Sequence, residues 1–129
     1  MGEREEGTAL ITAERRRQVT EEGWLPEHDD GHKQGELAVA AACYAMPELL
    51  YVYREVGRHR KFADPWPWPA HYDKRPRVPS AHPLETLAEH NRTFDPPSVR
   101  IRELVKAGAL IAAEIDRLRR AAPAPGGEG

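Results

Sequence analysis

Eight prolines fall between residues 57 and 97, at positions 65, 67, 69, 76, 79, 83, 96 and 97. Proline has no amide proton and fixes its own φ, so it breaks helix interiors and is excluded from central strands. Pro65-Trp66-Pro67-Trp68-Pro69 therefore reads as stiff, extended, polyproline-like chain. Its two tryptophans argue against a plain disordered linker, because such linkers are poor in aromatics. The segment is expected to cross the rest of the fold and bury at least one indole. Regular structure is left to the two flanks, with a short helix at Leu84–Glu89 as the one candidate inside.

The C-terminal flank is the clearer one. Asp95-Pro96-Pro97-Ser98 has the acid and the first-turn proline of a helix start. The helix is predicted to run to about Arg120. Ile101, Leu104, Val105, Gly108, Ile111, Ala112, Ile115 and Leu118 recur at steps of three and four and form one stripe, which is expected to face the core. Gly108 in that stripe permits a close helix approach, with Ala40 to Ala42 as the expected neighbours. Upstream, Thr8–Glu22 reads as a helix with a sparse apolar stripe and three consecutive arginines, Arg15, Arg16 and Arg17. Residues 33–46 and 47–58 read as two further helices, broken at Pro47. The expected fold is all-α: a small helical bundle over residues 1–120, crossed by a long Pro- and Trp-rich loop, with 121–129 a disordered tail.

Candidate chemistry concentrates at Gly23–Met46. If a helix begins near Asp30, then Asp29, His32 and Glu36 share one face at spacings of three and four. With Asp30 beside them, they form a candidate site for magnesium or manganese. Ordinary helix capping and a surface His–Glu pair explain the same residues without a metal. Glu103 and Glu114 lie about 16 Å apart along the last helix at 1.5 Å per residue, so only one could complete such a site. Glu36 and Glu114 are the catalytic candidates. Lys106 with Arg15 or Arg16 would meet phosphate, since guanidinium and ammonium groups complement its charge.

These residues support a metal-dependent nucleotide phosphohydrolase. The competing class is a non-catalytic binding module, in which Trp24, Trp66, Trp68 and Tyr72 line a pocket for a nucleotide-like ligand or a protein segment. A structural protein, homodimeric through Gly108 and the alanine-rich helix, is the third. The net charge of −2 over 129 residues offers no global attraction for nucleic acid or anionic membrane. No apolar run approaches the length of a membrane span. The single cysteine, Cys43, excludes an internal disulfide and fits a cytoplasmic location as a small core residue.

Several blocks carry a resemblance. They are Glu14-Arg15-Arg16-Arg17-Gln18, Glu22-Gly23-Trp24, Glu27-His28-Asp29-Asp30 with His32, and Gly35-Glu36-Leu37-Ala38. Trp66-Pro67-Trp68 and the run from Arg102 to Ile111, with Ala113-Glu114-Ile115 and Arg117-Leu118, complete them. Over roughly half its length the chain resembles a group of small phage and prophage proteins of unassigned function. More loosely, it is similar to the all-α nucleotide pyrophosphohydrolases of the MazG kind. That resemblance implies acids on facing helices that hold magnesium and cleave nucleoside triphosphates to monophosphates. The paired E-x-x-E and E-x-x-D motifs of that group are absent: Val39 stands three residues after Glu36, and Arg117 three after Glu114.

Overall fold

The computed structural model describes residues 6–76 and 92–122. Helix α1 spans Gly7–Thr20, α2 Pro26–Asp30 and α3 Glu36–Ala45. Strands β1, Val52–Val56, and β2, His59–Ala63, follow. Single 3-10 turns lie at Ala70–Tyr72 and Arg92–Phe94, and α4 spans Pro97–Ala121. The helix expected at Leu84–Glu89 lies outside the described residues, as do 123–129 of the expected tail. Among the described residues no helix is long and apolar enough to cross a membrane.

Helix α4 is the spine against which α3, α1 and, more lightly, α2 pack. The core between α3 and α4 is built from Leu37, Ala40, Ala41, Tyr44, Ala107, Leu110 and Ala113. Alanine on both faces brings the backbones close, and bulk is supplied from outside by Trp24, Trp66 and Trp68. Truncating Leu37 or Leu110, each nearly inaccessible, would cost on the order of 3 kcal/mol. Cys43 is fully buried, and burial pushes its thiol up to about 11.

The fold is not all-α. Where a helix was expected at 47–58, β1 pairs antiparallel with β2, Val52 opposite Ala63 and Val56 opposite His59. Val52, Tyr53 and Val56 suit a strand at least as well as a helix, because β-branched and aromatic side chains pack well on a pleated surface. Gly57 decides the matter with φ +64° at the first position of a two-residue connection, the place where such hairpins favour glycine. Tyr53 and Phe62 face each other across the ladder, edge to face at 5.7 Å.

Helix α3 stops at Ala45, where the chain turns extended at Met46. Its last carbonyls need hydrogen-bond donors, and two arginines from later in the chain provide them. Arg92 donates to the Tyr44 carbonyl at 2.9 Å, and Arg100 donates to the same oxygen at 2.8 Å and to that of Ala45.

The expected stripe of α4 is also corrected. Ile101, Leu104, Ile111, Ile115 and Leu118 are each about half exposed, while Glu103, Ala107, Leu110, Ala113 and Arg117 are buried. The helix is rotated so that its small residues meet the alanines of α3, where close approach outweighs side-chain size. Gly108 opposes Ile11 of α1, not Ala40 to Ala42. A Cβ at Gly108 would lie 2.5 Å from Ile11 Cδ1 and 2.8 Å from its Cγ1.

Gly108→Ala should destabilise by about 1 kcal/mol, because Ile11 Cδ1 at 2.5 Å and Cγ1 at 2.8 Å must both be displaced and helix propensity offsets only part of that strain. Gly108→Leu should destabilise by about 2 kcal/mol or more through overpacking, and Ile11→Ala should relieve part of that loss. Urea denaturation of the three variants and the double variant checks both statements.

Candidate ligand-binding cavity

The acids expected to hold a metal are committed elsewhere. Asp29 is fully buried in α2, and its Oδ2 accepts from Arg15 Nη2 at 2.8 Å. Asp30 bonds Arg120 at 2.8 Å. Glu114 bonds Arg117 at 2.6 Å, and Glu103 is buried between Arg92 at 3.1 Å and Arg100 at 3.5 Å. Glu36 accepts the Gln34 backbone N–H at 2.6 Å and lies 3.6 Å from His32 Nδ1. Some burial pushes the Glu36 carboxyl up, but the backbone amides of Glu36 and Gln34 and the His32 ring pull it below its ordinary value.

Asp29, His32 and Glu36 do not share one helix face either. Pro26 opens α2, which ends at Asp30, and α3 begins only at Glu36. Proline is at home in a first turn, so Trp24-Leu25-Pro26 leads into a helix earlier than expected. Among the described residues no three His, Cys, Asp or Glu side chains gather as a metal cluster. The magnesium site that the MazG resemblance implies therefore does not fit this arrangement of acids. Arg15 is taken by Asp29, and Arg16 stands on the exposed side of α1.

What the fold does bring together is aromatic. A cavity of about 250 Å³ is walled by Trp24, Tyr44, Trp66, Trp68, His71 and Tyr72, with Leu110 behind them. Trp66 and Trp68 meet at 87° with centroids 5.6 Å apart, so their rings form a corner; Tyr44 meets Trp66 at 84° and 5.7 Å. The strap carrying them is clamped by the buried Arg75, which bonds Asp73 at 2.6 Å and Asp64 at 2.8 Å and sits 5.0 Å over the Trp66 ring. Asp64 also accepts the Trp66 backbone N–H at 3.0 Å, which fixes the turn into the strap.

The polar wall comes from α1 and α4. Glu14 and Gln18 are buried, one turn apart, with Gln18 Nε2 donating to Glu14 at 3.3 Å. Glu14 also takes Arg17 at 2.9 Å and Arg102 at 3.0 Å. Burial pushes the Glu14 carboxyl up, but the Arg17 hydrogen bonds and the Arg102 and Arg17 charges hold it below the ordinary carboxylate value. Lys106 stands 5.8 Å over the Tyr44 ring. Burial, then the Arg102, Arg17 and Lys74 charges, lower its pKa against the opposing pull of Glu14.

A second space of about 440 Å³ adjoins the first and shares Tyr44, Lys74 and Lys106 with it. Its further walls are Arg102, Glu103, and Ser98 and Val99 in the first turn of α4. The two lysines thus stand where an aromatic cavity meets a basic trough.

Of the residues expected at a site, Trp24, Trp66, Trp68, Tyr72 and Lys106 come together here. Glu14, Gln18 and Lys74 were not anticipated. The available signal was the sparse apolar stripe of α1, which leaves polar residues to face inward. The chain has no match among protein-family models, characterised proteins or solved structures.

Arg15→Ala should destabilise the protein by about 3 kcal/mol, since it strands a buried carboxylate at Asp29. Glu14 gives a pH signature. A depressed folded pKa stabilises above the unfolded value, near 4.5, and that stabilisation is lost as pH falls through the folded value. The stability gap between the parent and Glu14→Gln should therefore be full at neutral pH and close progressively below pH 4.5. Urea denaturation over a pH series measures it.

Proposed function

We propose that this chain is a non-catalytic binding module for a nucleotide-like ligand. The ring of that ligand lies in the aromatic corner of Trp66 and Trp68, and its phosphate meets Lys106 and Lys74. The carrying observation is Lys106. It is a partly buried cation at the junction of the two spaces, surrounded by the charges of Arg102, Arg17 and Lys74. Glu14, the carboxylate that opposes them, is already shared between Arg17 and Arg102. A half-buried ammonium so placed is stabilised by an incoming anion.

Size supports a ligand that spans both spaces. Small-molecule sites usually occupy about 300 Å³ or more. The aromatic cavity alone falls short of that, while cavity and trough together exceed it. The start of α4 adds the positive end of a long helix dipole to the trough. The phosphohydrolase reading is disfavoured because Asp29, Asp30 and Glu114 are each bonded to an arginine and Glu36 is held by backbone amides and His32.

Titration of nucleosides and nucleoside phosphates in the presence of a chelator, read by tryptophan fluorescence, tests the proposal. Phosphates should quench at lower concentration than the matching nucleosides, and Lys106→Met should weaken the phosphates by about tenfold, roughly 1.4 kcal/mol, while leaving nucleosides unchanged. No quenching by any member of the panel, or equal response to nucleoside and phosphate, would count against it. Pyrophosphate release with magnesium or manganese would restore the phosphohydrolase.

A further inference from the structure

His28 sits in α2, and His32 follows one turn later, just beyond its end. Their Nε2 atoms are 3.3 Å apart. That separation is a long hydrogen-bond contact. It equals the edge of a tetrahedron around an ion with bonds of about 2.0–2.1 Å to imidazole nitrogen, since the edge is about 1.63 times the bond. Each ring has an aromatic neighbour. The exposed His28 lies parallel to Trp24, at 9° with centroids 6.2 Å apart, and Trp68 packs against His32 with centroids 5.1 Å apart. Behind His32, the Glu36 carboxylate lies 3.6 Å from Nδ1. A carboxylate beside the outer ring nitrogen is the usual support for a metal-ligating histidine.

Beside the pair lies a second cavity of about 230 Å³, distinct from the aromatic cavity described above and lined largely by Trp24, Leu37, Trp68, Pro69 and Tyr72. It leaves room for the further donors that a four-coordinate ion needs. Asp29 in the same wall is bonded to Arg15 through Oδ2 and leaves its buried Oδ1 without a hydrogen-bond partner.

We propose that His28 and His32 form a two-imidazole site for a divalent transition ion of the zinc class, with Glu36 orienting His32 and the second cavity supplying the open coordination positions. Imidazole donors suit zinc, copper and nickel far better than magnesium. The proposal stands apart from the nucleotide reading in its donors, the two imidazoles, although Trp24, Trp68 and Tyr72 border both cavities.

The test titrates the chelator-treated, full-length protein with zinc(II) by calorimetry and with cobalt(II) by visible absorption. Saturable binding of one ion per chain and the intense visible bands of tetrahedral cobalt are expected. His28→Ala and His32→Ala should each weaken binding by at least about tenfold, and Glu36→Gln by a smaller factor. Lys106→Met should leave it unchanged. Circular dichroism confirms that each variant is folded. Absence of saturable binding would overturn the proposal, as would binding that survives replacement of both histidines.

Discussion

The contact of alanine with alanine between α3 and α4 determines most of what surrounds it. Ala40 and Ala41 on one side and Ala107 and Ala113 on the other let two backbones approach closely. Such a seam contributes little apolar volume of its own. The missing bulk is delivered by Leu37, Leu110, Tyr44 and the indoles of the strap. Trp66 and Trp68 are therefore part of the packing and part of a cavity wall at once. The buried Arg75 clamp, with Asp64 and Asp73, holds that wall with charge-assisted bonds where the proline-rich backbone has few amides of its own to offer.

Sequence periodicity located α4 but misjudged its inner face. Spacings of three and four tell which residues share a side of a helix, and Ile101, Leu104, Ile111, Ile115 and Leu118 do share one. They do not tell which side a neighbour will choose. Here the neighbours choose the alanine side, because small residues shorten the interhelical distance. The hairpin was missed for a related reason. Five-residue strands give too short a window to separate period two from period 3.6, and the deciding residue was Gly57 in the turn. The tryptophans and Lys106 were legible as unusual residues. Glu14 and Gln18 were not, since a buried polar side chain is explained only by tertiary partners. The acids misled because the guanidinium that neutralises Asp30 comes from ninety residues away.

A pattern runs through the charges. Asp29, Asp30, Glu103 and Glu114 are each met by arginine, whose planar fork matches a carboxylate and stays protonated when buried. Leaving the buried carboxylates of Asp29 or Glu103 unpaired would cost several kcal/mol, so those two pairs maintain the fold and are poor candidates for chemistry. The cavity edge is lined by lysine. An ammonium on a flexible stem makes no fixed fork, and at Lys106 it is surrounded mainly by like charge. The acid pairs of the fold are thus made by arginine, while the two spaces are bordered by lysine and arginine together.

Trp24, Trp68 and Tyr72 line both the aromatic cavity and the one beside the histidines, so a single wall separates the two. Trp68 touches Trp66 at 5.6 Å on one side and His32 at 5.1 Å on the other. Pro67 and Pro69 restrict the backbone that carries it, so the ring can move only within narrow limits. A ring stacked on Trp68 from one cavity fixes the indole that also positions His32, and an ion on the histidines fixes His32 against the same indole. Any coupling between two such occupants must act equally in both directions, because it is one free energy read from two sites. Its sign follows from a single geometric question, whether both occupants favour the same position of Trp68.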